Sequence, residues 1–210
     1  MTMTASPATG DTLAPQAAAA AHPSRLEEMP ISFFAIVMGL SGITLSTRAA
    51  EHALALGPVA SPWLMWATVG VMGLISLFYL LKLLVHPKAV AAEWNHPVRI
   101  AFFPAISISM LLIATILVPV MPEIARPLWL TGAALQAALT LSVVASWIGH
   151  RPFTHAHLNP AWFIPAVGNI VAPLAGGPLG FIELSWLFFS AGLVFWIVLL
   201  TLVFNRLVFH

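Results

Sequence analysis

Apolar residues form long runs from residue 30 to the end of the chain, and short breaks separate these runs. A helix needs about 20 consecutive apolar residues to cross the hydrocarbon core of a bilayer. Each break contains proline, which removes a backbone donor and restricts the residue before it, so that a helix ends there. The pattern predicts an all-α integral membrane protein with six transmembrane spans, at residues 31–48, 62–85, 98–120, 127–149, 160–176 and 181–208.

Composition supports a membrane protein and separates the first 29 residues from the rest. Of the 210 residues 60% are hydrophobic and only 7% are charged, whereas soluble domains carry about 25% charged residues. Residues 1–29 lack Ile, Val and aromatic side chains, and such a segment cannot bury enough apolar surface to fold. A signal peptide is the alternative, but no Lys or Arg precedes Arg25 and no leucine-rich core precedes the alanine run. We therefore expect a disordered cytoplasmic tail over residues 1–29 and a transmembrane domain over residues 30–210.

The distribution of Lys and Arg predicts the orientation of the spans. Cytoplasmic loops of membrane proteins carry an excess of these residues. A cytoplasmic N-terminus places six of them inside and two outside, and the reverse topology would invert that ratio. We expect a multi-pass protein of the plasma (inner) membrane with its N-terminus in the cytoplasm. The inside set is Arg25, Lys82, Lys88, Arg99, Arg151 and Arg206, and the outside set is Arg48 and Arg126.

The six spans alternate between two kinds. The second, fourth and sixth contain no internal proline, whereas the first carries Gly39 among small and hydroxyl residues, and the third and fifth carry Pro104 and Pro165. The stretches FFPAISIS (102–109) and WFIPAVGN (162–169) align at these prolines with an offset of 61 residues. A helix break that recurs in equivalent positions indicates a transport path lined by bent inner helices and enclosed by straight outer ones. The alternative is that the kinks and small residues serve only tight helix packing.

Ionisable residues avoid the middle of every span and lie in tails, loops or span ends. Proton relays and cation sites need buried carboxylates or histidines, so the path suits an anion better. His150, His155 and His157 lie close in sequence, but no cysteine or neighbouring acid completes a metal site. We expect no metal or other cofactor, and no enzyme activity, because no catalytic constellation is present. A net charge of +1 also gives no basic face for nucleic acid.

Two segments carry a resemblance to a known family. HLNPAWFIPAVGNIVAPLAG (157–176) and PISFFAIVMGLSG (30–42) resemble the tellurite-resistance/dicarboxylate transporter family, which includes TehA-like proteins and the plant slow-type anion channels. The resemblance implies ten helices in five hairpins, with kinked inner helices around a pore in each subunit of a homotrimer. It also implies transport of small anions such as chloride, nitrate, C4-dicarboxylates or sulfite. Because the chain ends at His210 after three hairpins, we expect an N-terminal fragment of such a protein.

The expected function is passive transport of small anions through a channel or transporter. Coupled export of organic acids or oxyanions such as sulfite is one alternative, and a non-transporting structural membrane subunit is another. Glycines would keep the bore open, prolines would set the bends, and the donors of Ser107 and Asn169 could replace part of an anion's water shell. Packing of Asn169 against a neighbouring helix is the competing interpretation. The residues expected to line the pore are Gly39, Pro104, Ser107, Pro165, Gly168 and Asn169.

Overall fold

The computed structural model describes residues 24–149 and 160–209, and all regular elements in these two ranges are helical. Five of the spans are long and apolar enough to cross a membrane. Short 3₁₀ turns precede or interrupt the first, third and fifth spans, at Ile31–Phe33, Arg99–Phe102, Pro160–Trp162 and Gly168–Val171. The α-helices are α1 (Arg25–Glu28), α2 (Phe34–Ala53), α3 (Ser61–Val85), α4 (Pro87–Asn95), α5 (Pro104–Leu117), α6 (Pro122–Ile148), α7 (Phe163–Val167), α8 (Pro173–Gly176) and α9 (Ile182–Phe209).

The fifth span, Pro160–Gly176, is shorter than the others and consists of several helical pieces. A 3₁₀ turn leads into α7, a second one follows it, and α8 begins only at Pro173. Proline lacks the N–H that would continue the helical hydrogen-bond ladder. The sequence predicted six spans, and five long ones are observed in the described residues. The predicted fifth span is shorter because its prolines interrupt the helix.

The fourth span differs from its prediction at its start. Helix α6 begins at Pro122, five residues before the predicted residue 127. Proline is favoured in the first turn of a helix, where its missing N–H would be unpaired in any case. As a consequence Pro127 lies inside α6, so the expectation that this span has no internal proline is wrong.

Burial distinguishes the third span from its neighbours. In its most apolar stretch 78% of the residues are buried, against 22% in the second span and 17% in the sixth. Helix α5 packs between α2 and α6, and both Pro104 and Pro165 are buried. The second and sixth spans instead expose many large apolar side chains, which suits contact with lipid. The first span is also largely exposed, with 28% of its apolar stretch buried.

Two side chains form hydrogen bonds with backbone groups at helix ends on the predicted outer side. Glu51 Oε1 accepts backbone N–H groups of Val59, Ala60 and Ser61 at the start of α3. The Arg48 guanidinium donates to the carbonyl oxygen of Ile116 at 2.7 Å, near the end of α5. The first turn of a helix leaves N–H groups unpaired and the last turn leaves carbonyls unpaired. Glu51 therefore holds the loop between the first two spans, and Arg48 joins the first span to the end of the third.

We expect replacement of Glu51 by alanine to lower the free energy of unfolding by about 1–3 kcal/mol, since several N–H groups lose a charged acceptor. Thermal unfolding in detergent micelles measures the loss. Glu123→Ala is the matched control, because Glu123 lies exposed in the first turn of α6. Equal melting temperatures for the two variants would show that the Glu51 carboxylate does not stabilise this turn.

A buried ion pair holds the predicted cytoplasmic end together. Lys82 Nζ of α3 lies 3.2 Å from Glu93 Oε1 of α4, and the two side chains are only 1% and 3% exposed. Lys82 also donates to the carbonyl oxygen of Met29 at 2.7 Å, and the Tyr79 hydroxyl donates to Glu93 Oε2 at 2.9 Å. The network joins the second span, the following loop helix and the segment before the first span. In the sequence Lys82 was identified only as one of the six Lys and Arg residues expected on the cytoplasmic side.

Residues 24–29, before the first span, include the short helix α1. Ser24 caps α1 by accepting the N–H of Glu27 at 3.1 Å, and its hydroxyl lies 3.2 Å from His86 Nε2. Residues 24–29 belong to the stretch expected to form a disordered tail, and residues 1–23 lie outside the described residues.

Candidate functional site: a buried polar cluster at two helix breaks

A cluster of buried polar groups joins the third, fourth and fifth spans near the helix breaks. Ser107 lies one turn after the start of α5, and its hydroxyl is 2.6 Å from Gln136 Oε1 of α6. Gln136 Nε2 is 3.2 Å from the Thr140 hydroxyl and 3.2 Å from the Pro165 carbonyl oxygen. All three side chains are buried, and those of Ser107 and Gln136 are fully inaccessible. Polar groups at this depth require partners within the protein.

The Pro165 carbonyl is the acceptor at the centre of the cluster. It lies just before the second 3₁₀ turn of the fifth span, where the regular ladder of helical hydrogen bonds is interrupted. Its oxygen accepts the Thr140 hydroxyl at 2.8 Å and the Asn169 amide nitrogen at 3.3 Å, besides the Gln136 amide. Side chains of the continuous helix α6 therefore donate hydrogen bonds to a backbone carbonyl of the interrupted fifth span. This lets proline and glycine lie at membrane depth.

The available hydrogens determine how the cluster is oriented. A carbonyl oxygen only accepts, so the Gln136 nitrogen must face Pro165 and its oxygen must face Ser107. Ser107 has one hydroxyl hydrogen, which Gln136 Oε1 accepts, although the carbonyl of Pro104 also lies within 2.9 Å. The Ser107 donor therefore bonds to protein.

Asn169 likewise bonds within the protein. Its amide nitrogen donates to the Ala166 carbonyl at 2.8 Å, with the Pro165 carbonyl and the Thr140 hydroxyl each at 3.3 Å. Two amide hydrogens are thus shared among three acceptors, and the residue is 3% exposed. Two of these contacts lie within the fifth span itself, and Thr140 belongs to the neighbouring helix α6.

The two glycines among the expected residues lie in contrasting surroundings. A Cβ added to Gly168 would lie 2.8 Å from Ile108 Cγ1 and even nearer to Ile108 Cδ1. This glycine therefore permits close approach of the fifth span to the third. Gly39 is exposed on α2, and an added Cβ would have nothing within 4 Å. Five of the six expected residues thus gather at the two breaks, and Gly39 faces open space.

Residues 28–210 match the family described as SLAC1, voltage-dependent anion channel. The chain belongs to the voltage-dependent anion channel family. It is 30% identical over 190 residues to the S-type anion channel SLAH2 of Arabidopsis thaliana, covering 87% of this chain and 36% of that protein. It is 31% identical over 172 residues to the tellurite resistance protein TehA homolog of Haemophilus influenzae, covering 81% of this chain and 52% of that protein.

An uncharacterized transporter of Methanocaldococcus jannaschii is 25% identical over 199 residues, covering 89% of this chain and 58% of that protein. The chain therefore spans between about a third and three fifths of the length of these relatives. The resemblance expected from the sequence is confirmed. All six expected site residues lie within the part of the chain that matches the voltage-dependent anion channel family.

The fourth span contributes two polar residues to the cluster that were not expected from the sequence. Gln136 and Thr140 were overlooked because the span reads as a plain lipid-facing helix. An amide in the middle of an apolar run was the available signal, since buried polar side chains in membranes require partners. In the described parts of the chain no three His, Asp or Glu side chains are grouped to hold a metal ion. His150, His155 and His157 lie outside those parts.

Proposed function

We propose that the complete protein conducts small anions across a membrane as a channel or passive transporter. The match of residues 28–210 to the voltage-dependent anion channel family carries this proposal. The geometry supports it, because the described spans bury two helix breaks and keep charged side chains at their ends. Chloride, nitrate, dicarboxylates and oxyanions all remain within the proposed class of substrate.

The proposed assembly follows the family expectation. The complete protein would have ten helices in five hairpins, with bent inner helices around a pore and straight outer helices against lipid, and would form a homotrimer. Its location would be the plasma (inner) membrane, with the N-terminus in the cytoplasm. The buried third span and the exposed second and sixth spans support this inner and outer arrangement.

We assign the six site residues to two roles in the wall of the path. Pro104, Ser107, Pro165, Gly168 and Asn169 shape the bends, because the donors of Ser107 and Asn169 bond to protein groups. The open face of α2 would line the path directly. Its residues are small and exposed at helical spacing: Ala35, Gly39, Gly42 and Ser46.

A flux assay on the complete protein in liposomes tests the proposed function. Chloride and nitrate uptake should follow the gradient of the anion alone and should persist when a proton gradient is absent. Uptake that requires a proton gradient would favour a coupled exporter instead. Vesicles with reconstituted protein that take up neither anion faster than empty vesicles would contradict anion transport.

Replacement of Gly39 by leucine should strongly reduce anion uptake, because a long side chain would enter the open space that α2 faces. Folding should persist, since nothing lies within 4 Å of an added Cβ. Gly73→Leu is the matched control, because Gly73 of α3 is equally unobstructed but lies on a lipid-facing span. Equal uptake rates for the two variants at equal amounts of reconstituted protein would remove Gly39 from the path.

A further inference from the structure

Gln136 stands in the middle of α6 and contacts both bent spans at once. Its oxygen accepts from Ser107 of the third span at 2.6 Å, and its nitrogen donates to the Pro165 carbonyl of the fifth span at 3.2 Å. The side chain has no accessible surface. An amide in this position is costly unless both of its ends are paired, and here they pair with two different helices.

The two contacts fall within the same turn of the aligned breaks, at its end in the third span and at its first residue in the fifth. Ser107 comes three residues after Pro104, and Gly168 comes three residues after Pro165. Gln136 Nε2 lies 3.3 Å from the place of a Cβ on Gly168, so the amide lies close to the turn from which that side chain is missing. One side chain of a straight helix therefore spans the gap between matching turns of both bends.

We propose that Gln136 is a positioning residue for permeation, which sets the separation of the two bends without touching the anion. This inference rests on the proposed anion transport. The Gln136 amide can bond to both partners in only one orientation, because the Pro165 carbonyl only accepts and Ser107 must donate. The two bends consequently cannot separate or slide without breaking a buried hydrogen bond. The Gln136 side chain therefore sets the width of the path beside the two bends.

A second connection also joins the fourth span to the fifth. Trp129 of α6 donates its indole N–H to the Ala172 carbonyl of the fifth span at 2.8 Å, and its ring stacks on Phe181 with centroids 4.7 Å apart. Trp129 is fully buried nearer the predicted outer end of the same helix. The fourth and fifth spans therefore remain attached at this level, while the bends beside Gln136 can relax.

The test compares the nitrate and chloride uptake rates of the full-length protein in the same batch of liposomes. The ratio of the two rates does not depend on how many copies are folded, so a loss of stability alone leaves it unchanged. Gln136→Met keeps the length of the side chain and removes both hydrogen bonds, and we expect it to shift the ratio severalfold. Thr131→Val is the matched control on the exposed side of α6, where the hydroxyl bonds only to its own helix at Pro127; its ratio should equal that of the wild type.

Two further variants keep the test decisive if Gln136→Met does not fold. Ser107→Ala and Thr140→Val each remove one partner from the cluster, and both should shift the ratio away from the wild-type value. In the double variant Ser107→Ala/Gln136→Met the shift should equal that of Gln136→Met alone, because both changes break the same bridge. Folded variants with the wild-type ratio would overturn the positioning role alone. A wild-type protein that takes up neither anion would overturn the proposed function itself, and this inference with it.

Discussion

Replacing Lys82 by methionine is expected to destabilise the folded protein by about 3–5 kcal/mol, because it leaves a buried carboxylate without its cation. Glu93 is almost fully buried, and among the described residues its carboxylate would keep only the Tyr79 hydroxyl as a partner. The Met29 carbonyl would lose its donor as well. The effect should exceed that of an exposed charge by several kcal/mol, since exposed ion pairs contribute only about 0–1 kcal/mol. Unfolding of the purified protein in detergent, followed by loss of helical circular dichroism, measures the change.

Two companion variants separate the buried charge from other causes. Lys88→Met removes an exposed cation from the first turn of α4 and should leave stability nearly unchanged. The double variant Lys82→Met/Glu93→Leu removes both charges and should regain much of the lost stability, because no uncompensated ion remains. If the double variant is as unstable as Lys82→Met, packing or the Met29 contact is the main contribution and the charge is not.

Replacing Gly192 by alanine should lower the free energy of unfolding by about 1–3 kcal/mol, the usual cost of overfilling a packed interior. Gly192 lies where α9 packs closely against the broken fifth span. An added Cβ would lie 2.6 Å from Ile170 Cγ1 and 3.0 Å from the Ile170 backbone nitrogen. The backbone cannot move aside as a flexible side chain can, so the two spans would have to separate. Thermal unfolding and the anion uptake assay should both register the change.

For Gly73→Ala, on the largely exposed helix α3, we expect the opposite change in stability. Nothing lies within 4 Å of an added Cβ at Gly73, and alanine is favoured over glycine inside a helix by about 0.5–1 kcal/mol. The two substitutions are chemically identical, so helix propensity alone predicts the same sign for both. A stabilised Gly192→Ala would therefore show that the sixth span does not pack tightly on the fifth.

Several features of the candidate site could be read from the sequence because they are local. Pro104 and Pro165 mark the breaks wherever the helices lie, since proline removes the same backbone donor in any surroundings. The partners of Ser107 and Asn169 could not be read in this way. Gln136 lies 29 residues from both Ser107 and Pro165, and Thr140 lies 25 residues from Pro165. The sequence around Gln136 and Thr140 does not indicate these partners. An apolar helix with one amide looks the same whether the amide faces a helix or lipid.

The sequence by itself determined that this is a multi-span helical membrane protein whose third and fifth apolar runs are broken at prolines. These are consequences of hydrophobic length and of backbone chemistry, which act over about 20 consecutive residues. Only the tertiary structure decided that Lys82 is buried, that a straight helix satisfies the carbonyl of a bent one, and that Gly39 faces open space while Gly168 is packed. The reason is that burial and hydrogen-bond partnership depend on which helices become neighbours, as with Lys82 and Met29, which lie 53 residues apart.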